Sequence, residues 1–135
     1  MGVYTDQMFN LGGTAVTSLT DMNSGISSTA GTYPVQLNGR LLKIDIYMTP
    51  QAASSLAESG RVELKQTNWK PNLLRFPFSG FGLQTVAGRG SDGNARHHTY
   101  VVDQEVRTDW PITGQVIYFF SPATPNIVVV GTFTG

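Results

Sequence analysis

The sequence of 135 residues predicts an antiparallel β-sandwich, and three observations carry that prediction. Apolar and polar residues alternate with a period of two in run after run. The cleanest is residues 41–48, where Leu42, Ile44, Ile46 and Met48 share one face and Leu41, Lys43, Asp45 and Tyr47 the other. About eight or nine such runs are separated by turns rich in Gly, Pro, Asn and Ser. No strand pattern alternates with a long amphipathic helix, which sets the parallel α/β folds aside. No spacing recurs at a fixed period, which disfavours propellers and solenoids.

Residues 1–39 hold no Lys or Arg, carry only Asp6 and Asp21 as charges, and are rich in Gly, Ser and Thr. So little apolar mass does not offset the entropy of ordering a chain. The expectation is a polar N-terminal arm over residues 1–31, ordered only by contact with another chain, ahead of one sandwich domain over 32–135. Weak strands are expected at 15–19 and 33–37. Asn38-Gly39 is a hairpin-type turn signal that feeds the strand at 41–48.

After Met48, Thr49 suits an N-cap, Pro50 the first helical position and Gly60 a C-terminal stop, with three alanines between them. This predicts one short helix of two turns. Strands follow at 61–66 and 73–78, and Pro77 confines the second to a sheet edge or end because proline cannot donate to a ladder. A short strand at 83–86 leads into the exposed loop 87–94. The strand at 96–106 is long. The run 115–120 is apolar on both faces, as a central strand is, and 127–133 closes the chain. Ile127, Val128, Val129 and Val130 on an open edge would invite aggregation, so this last strand is expected to be paired on both sides. One of its faces should lie against the sandwich and the other under the helix near Ala52 or a neighbouring subunit.

Composition removes several functions. The absence of cysteine excludes disulfide frameworks, thiolate zinc sites and cysteine nucleophiles. Nine Lys and Arg balance nine Asp and Glu, and only 13% of residues are charged, about half the usual ~25%. A surface so poor in charge suits a chain partly covered by others. No apolar run reaches the ~18 to 20 residues of a membrane-spanning helix. The N-terminus lacks a basic and apolar signal segment, so synthesis without export is expected.

No catalytic, cofactor or metal site emerges, and the chain is read as a non-enzyme. There is no G-x-S-x-G. The glycines between 80 and 93 match neither phosphate-binding spacing, and Arg89-Gly90-Ser91-Asp92 is not an Arg-Gly-Asp motif. His97 and His98 are adjacent on a strand and point to opposite faces. Asp103 and Glu105 have the spacing to hold calcium with Asp109, but a solvated strand end explains them more simply. The cations are scattered singly from Arg40 to Arg107 and form no basic stripe. Trp69, Phe76, Phe78, Phe81 and Trp110 could stack on bases or sugars, yet strand-periodic or proline-flanked positions assign them to core and interface.

In pattern, over residues 15–133, the chain resembles the single jelly-roll capsid proteins of viruses: about eight strands, a neutral surface, a Gly/Ser/Thr-rich front and a chain ending in an apolar strand. The resemblance implies two four-stranded sheets packed face to face and a protein of the virion, made in the host cytoplasm, that works by self-assembly. It brings no functional residue with it. Capsid proteins that package naked RNA commonly carry a basic arm, whereas the first cation here is Arg40. The chain therefore looks more like a shell or decorating subunit that does not touch the genome, such as one overlying an internal membrane. Its partners would be copies of itself and other shell proteins, with no small-molecule substrate. The competing reading is a carbohydrate- or ligand-binding sandwich in which Trp69 or Trp110 stacks on a sugar ring.

Overall fold

A computed structural model of the chain describes residues 2–12, 26–49, 57–81, 85–86, 90–91, 96–120 and 126–135. The strands are β1 (Val3–Gly12), β2 (Ile26–Tyr33), β3 (Gly39–Thr49), β4 (Ala57–Lys65), β5 (Leu73–Phe81), β6 (Thr85–Val86), β7 (Gly90–Ser91), β8 (Arg96–Val106), β9 (Ile112–Phe120) and β10 (Asn126–Thr134). Eight of them form two four-stranded sheets, ordered β1-β10-β3-β8 and β2-β9-β4-β5, while β6 and β7, among the described residues, pair with each other.

The pairing has a simple logic. The long strands match first with last, moving inward: β1 with β10, β2 with β9, β3 with β8, and β4 with β5, all antiparallel. That is one long hairpin wound over on itself, and the ladders β10/β3 and β9/β4 join its turns into sheets. The result is a jelly-roll sandwich. β10 lies between β1 and β3, paired on both sides as its sequence requires. β5, which carries Pro77, lies at an edge.

Between the sheets, Leu41, Ile44, Ile46, Leu64, Ile112, Val116, Ile127, Val129 and Phe133 have no exposed surface. Phe133 stacks with Tyr4 of β1 at 5.3 Å and with Tyr33 of β2 at 5.7 Å, so one ring joins strands of opposite sheets. A tyrosine closes each open side of the sandwich. The Tyr33 hydroxyl donates to Asp6 Oδ2 at 2.5 Å across the β1/β2 side, and the Tyr100 hydroxyl donates to the Pro77 carbonyl across the β5/β8 side. Burial, and then the bond to Asp6, push the Tyr33 hydroxyl well above its ordinary pKa.

Four expectations need correction. The polar arm expected over 1–31 contributes two strands to the sandwich: residues 3–12 pair with β10 and residues 26–33 with β9. An irregularity between Gln7 and Phe9 turns both Met8 and Phe9 into the core, so this segment buries more apolar surface than strict alternation allows. The helix expected between Thr49 and Gly60 begins inside β3, and its last turn belongs to β4; residues 50–56 lie outside the described residues. No helix among the described residues covers the outer face of β10. The inward set of β3 is Leu41, Ile44 and Ile46, with Leu42 only half-buried, because β3 carries Leu42 as an extra residue between its pairings with Thr132 and Phe133. Finally, the turn at Asn38-Gly39 joins no hairpin, since β2 and β3 lie in different sheets. The strand expected at 15–19 lies outside the described residues, as does most of the loop at 87–94, of which only Gly90–Ser91 is seen, paired with Thr85–Val86.

Candidate functional site

The outer face of the first sheet follows from the register of its strands. Alternation turns Lys43, Asp45 and Tyr47 of β3 outward, and their partners on β8 are Val101, Thr99 and His97. On the other side of β3 the matching residues of β10 are Thr132, Val130 and Val128. Val128 and Val130 are half-buried, while Val101 is 82% exposed, Val3 67% and Tyr47 39%. Apolar side chains thus occur on β10, β3 and β8, with Lys43, Asp45, Thr99 and Thr132 between them.

Asp45 lies in the middle of this face and is nonetheless 8% exposed. Its Oδ1 accepts a hydrogen bond from the Thr99 hydroxyl at 2.6 Å and lies 2.7 Å from His97 Nε2. The His97 ring lies flat on Tyr47, with centroids 4.5 Å apart and planes within 4°. Burial pushes the Asp45 carboxyl up, but the bonds from Thr99 and His97 and the charge of Lys43 outweigh it and hold the group below its ordinary range.

The outer face of the second sheet is polar. Glu63 of β4 is 4% exposed and sits beside its ladder partners Arg75 and Gln115. It accepts from Gln115 Nε2 at 2.6 Å, Arg61 Nε at 2.8 Å and Arg75 Nε at 3.1 Å. Burial alone would raise the Glu63 pKa. These three bonds, with the charge of Arg61, bring it below the usual carboxylate value.

Both depressed carboxylates predict an acid-sensitive fold. A folded pKa below the unfolded value of about 3.9 to 4.3 contributes stability above that value and loses it as pH falls through the folded pKa. The urea midpoint should therefore fall as pH drops from about 5 to 3, and Glu63→Gln combined with Asp45→Asn should flatten that slope. An unchanged slope in the double variant would assign the acid sensitivity to other carboxylates.

At one end of the sandwich, residues 66–72 after β4 and 107–111 after β8 enclose a cleft of about 240 Å³, bordered by Lys65, Asn68, Asp109, Trp110 and Thr113. Gln66, 5% exposed, ties its two walls: Nε2 donates to the Pro111 carbonyl at 2.6 Å, and Oε1 accepts from the Asn68 backbone and side-chain nitrogens at 2.9 Å each. Alternation puts Gln66 in phase with the inward Val62 and Leu64, but a polar residue just past a strand end carries no sign of the two loops it joins.

The structure sorts the sequence candidates. Trp69 is 3% exposed and its indole N–H donates to the Glu105 carbonyl at 2.8 Å, so it is core and offers no platform for a sugar. Trp110 is half-buried at the cleft, with the Arg107 guanidinium 5.6 Å above its ring. Asp103, Glu105 and Asp109 face arginines: Asp103 lies 2.7 Å from Arg40, and Glu105 and Asp109 lie 3.5 and 3.7 Å from Arg107. Asp103 sits at an irregularity of β8 with φ 53°, a left-handed conformation that Asp tolerates. His97 is on the outer face, and His98 is paired with the inward-facing Ile46.

No protein-family model matches this chain, and no curated protein does. Among the solved structures similar to it are two at low TM-score. The structure of the infectious bursal disease virus Gx strain is 9% identical with a TM-score of 0.42, over 97% of this chain and 32% of that one. The family 11 carbohydrate-binding module from Clostridium thermocellum, in complex with a β-1,3-1,4-mixed-linked tetrasaccharide, is 11% identical with a TM-score of 0.35, over 99% of this chain and 88% of that one. This chain therefore spans about a third of the length of the viral chain. Neither likeness is close enough to bring a function with it.

Proposed function

We propose that this chain is a structural subunit of a virus particle, a jelly-roll capsid or decorating shell protein that acts by self-assembly. The outer face of the first sheet carries this reading. Val128 and Tyr47 are ladder partners with Val130 beside them, while Val101 stands exposed on β8 next to Lys43, so the apolar strip over three strands is interrupted by Lys43 and by Asp45 with Thr99. Apolar side chains gathered on one sheet face suit contact with another chain. Asp45 spends its charge on Thr99 and His97, so covering this face leaves few groups to desolvate.

The absence of a basic stripe supports a role away from the genome. Arg40, Arg61, Arg75 and Arg107 each lie within ion-pair distance of a carboxylate, so these four arginines are already engaged within the chain. The purified chain should form species whose mass rises with concentration in sedimentation experiments, and regular shells or rings by electron microscopy. Val101→Glu places a charge on the strip at a site exposed enough to spare the fold, and should weaken association about tenfold or more. A chain that remains monomeric at every concentration overturns the proposal.

A further inference from the structure

The cleft at the sandwich end is chemically unlike the apolar strip, and it lies on another part of the molecule. It opens beside the ladder pair Lys65 and Thr113, on the outward side of the second sheet, under the loops that follow β4 and β8. We propose that this cleft is a binding site for a neutral saccharide, with Trp110 as its apolar platform and Asn68, Asp109, Lys65 and Thr113 as its hydroxyl partners.

The walls are already built. Gln66 bonds to both loops from a buried position, Trp69 pins the first loop to the end of β8, and the Trp110 amide donates to the Arg107 carbonyl at 2.9 Å. A site held this way loses little ordering entropy when a ligand enters.

The lining selects the ligand class. Lys65 and Asp109 carry opposite charges and Arg107 lies 3.7 Å from Asp109, so an anion meets a carboxylate and a cation meets two cationic side chains. Arg107 also lies 5.6 Å over one face of Trp110, and the other face is the one assigned to the ligand. A purely apolar ligand would displace water from the exposed Lys65, Asp109 and Thr113 side chains without replacing its hydrogen bonds. A pyranose offers what remains: closely spaced hydroxyls that both donate and accept, and a C–H face suited to an indole, which presents a large rigid surface with a polar edge. The volume of about 240 Å³ falls below the ~300 to 1,000 Å³ of sites for drug-sized ligands, which suits one sugar ring at a chain end or within an open oligomer.

Calorimetry and indole fluorescence with the full chain test this. Suitable probes are glucose, galactose, N-acetylglucosamine, N-acetylgalactosamine and their β-linked disaccharides, with sialyllactose as the acidic sugar and glycerol as the control. Trp69 is buried, so a ligand-dependent emission change reports on Trp110. At least one neutral sugar should bind saturably, Trp110→Ala should weaken it about tenfold, and Trp110→Phe should retain most of the affinity while both variants keep the parent melting temperature. Three results overturn the proposal: no saturable signal with any neutral sugar up to the tens of millimolar, preference for the acidic sugar, or unchanged affinity in Trp110→Ala. If Trp110→Ala fails to fold, Trp110→Leu and Thr113→Val decide the matter, and parent affinity in both would also overturn it.

Discussion

Removal of residues 127–135 is expected to leave the chain without a cooperative fold. These residues supply nearly all of β10, the strand between β1 and β3, and among the described residues β1 has no other neighbour in its sheet. Deletion strips one full ladder from β1 and one from β3, exposing backbone groups that the sandwich otherwise pairs. It also removes Ile127, Val129 and Phe133, all fully buried. Each such side chain contributes about 1.5 to 3 kcal/mol, against about 5 to 15 kcal/mol for a whole domain. Loss of Phe133 further separates Tyr4 from Tyr33 and so unties the two sheets on the β1/β2 side. Circular dichroism in a urea titration should show no sigmoidal transition for the truncated chain. A truncated chain that unfolds cooperatively as a monomer would mean that β1 finds another partner and that β10 is dispensable.

The strands legible in the sequence were those whose alternation runs unbroken. β8 covers residues 96–106 as expected, and β10 differs from the expected run by one residue at each end. Alternation locates β3 but misses its phase at Leu41, because an extra residue in a ladder shifts the face without changing the composition of the run. β1 went unread for a related reason. Its core residues Met8 and Phe9 are adjacent, a pattern that alternation rejects and an irregular ladder permits. The candidate surfaces were less legible still. Val101, Tyr47 and His97 form one face only through the register of β3 against β8, and Gln66 joins two loops separated by some forty residues in sequence. Trp69 and Trp110 each stand beside a proline in a loop, so their neighbours do not distinguish them. Three-dimensional packing buries the first and leaves the second at the cleft.

Gly60 is where sequence and structure diverge most, and replacing it should be among the most damaging single changes. Its position after an alanine-rich run reads as a helix stop. In the fold it is a buried residue of β4, paired with Phe78 on one side and Tyr118 on the other, next to an irregularity in the β9 ladder. A Cβ added there would run into the Ile117 carbonyl oxygen and come within 2.8 Å of the Phe78 ring. The ring could turn aside, but the carbonyl belongs to the β4/β9 ladder and cannot move without breaking pairing. Overpacking of a core commonly costs about 1 to 3 kcal/mol, and a clash with backbone places Gly60→Ala at the top of that range, with Gly60→Val beyond it. Gly2, whose added Cβ meets nothing within 4 Å, is the matched control, and Gly2→Ala should stay within about 0.5 kcal/mol of the parent. Urea midpoints of Gly60→Ala, Gly60→Val and Gly2→Ala at constant m-value give the comparison. Equal midpoints for Gly60→Ala and Gly2→Ala would show that β4 and β9 can separate locally without loss, and that the close approach at Gly60 is not needed to hold the second sheet together.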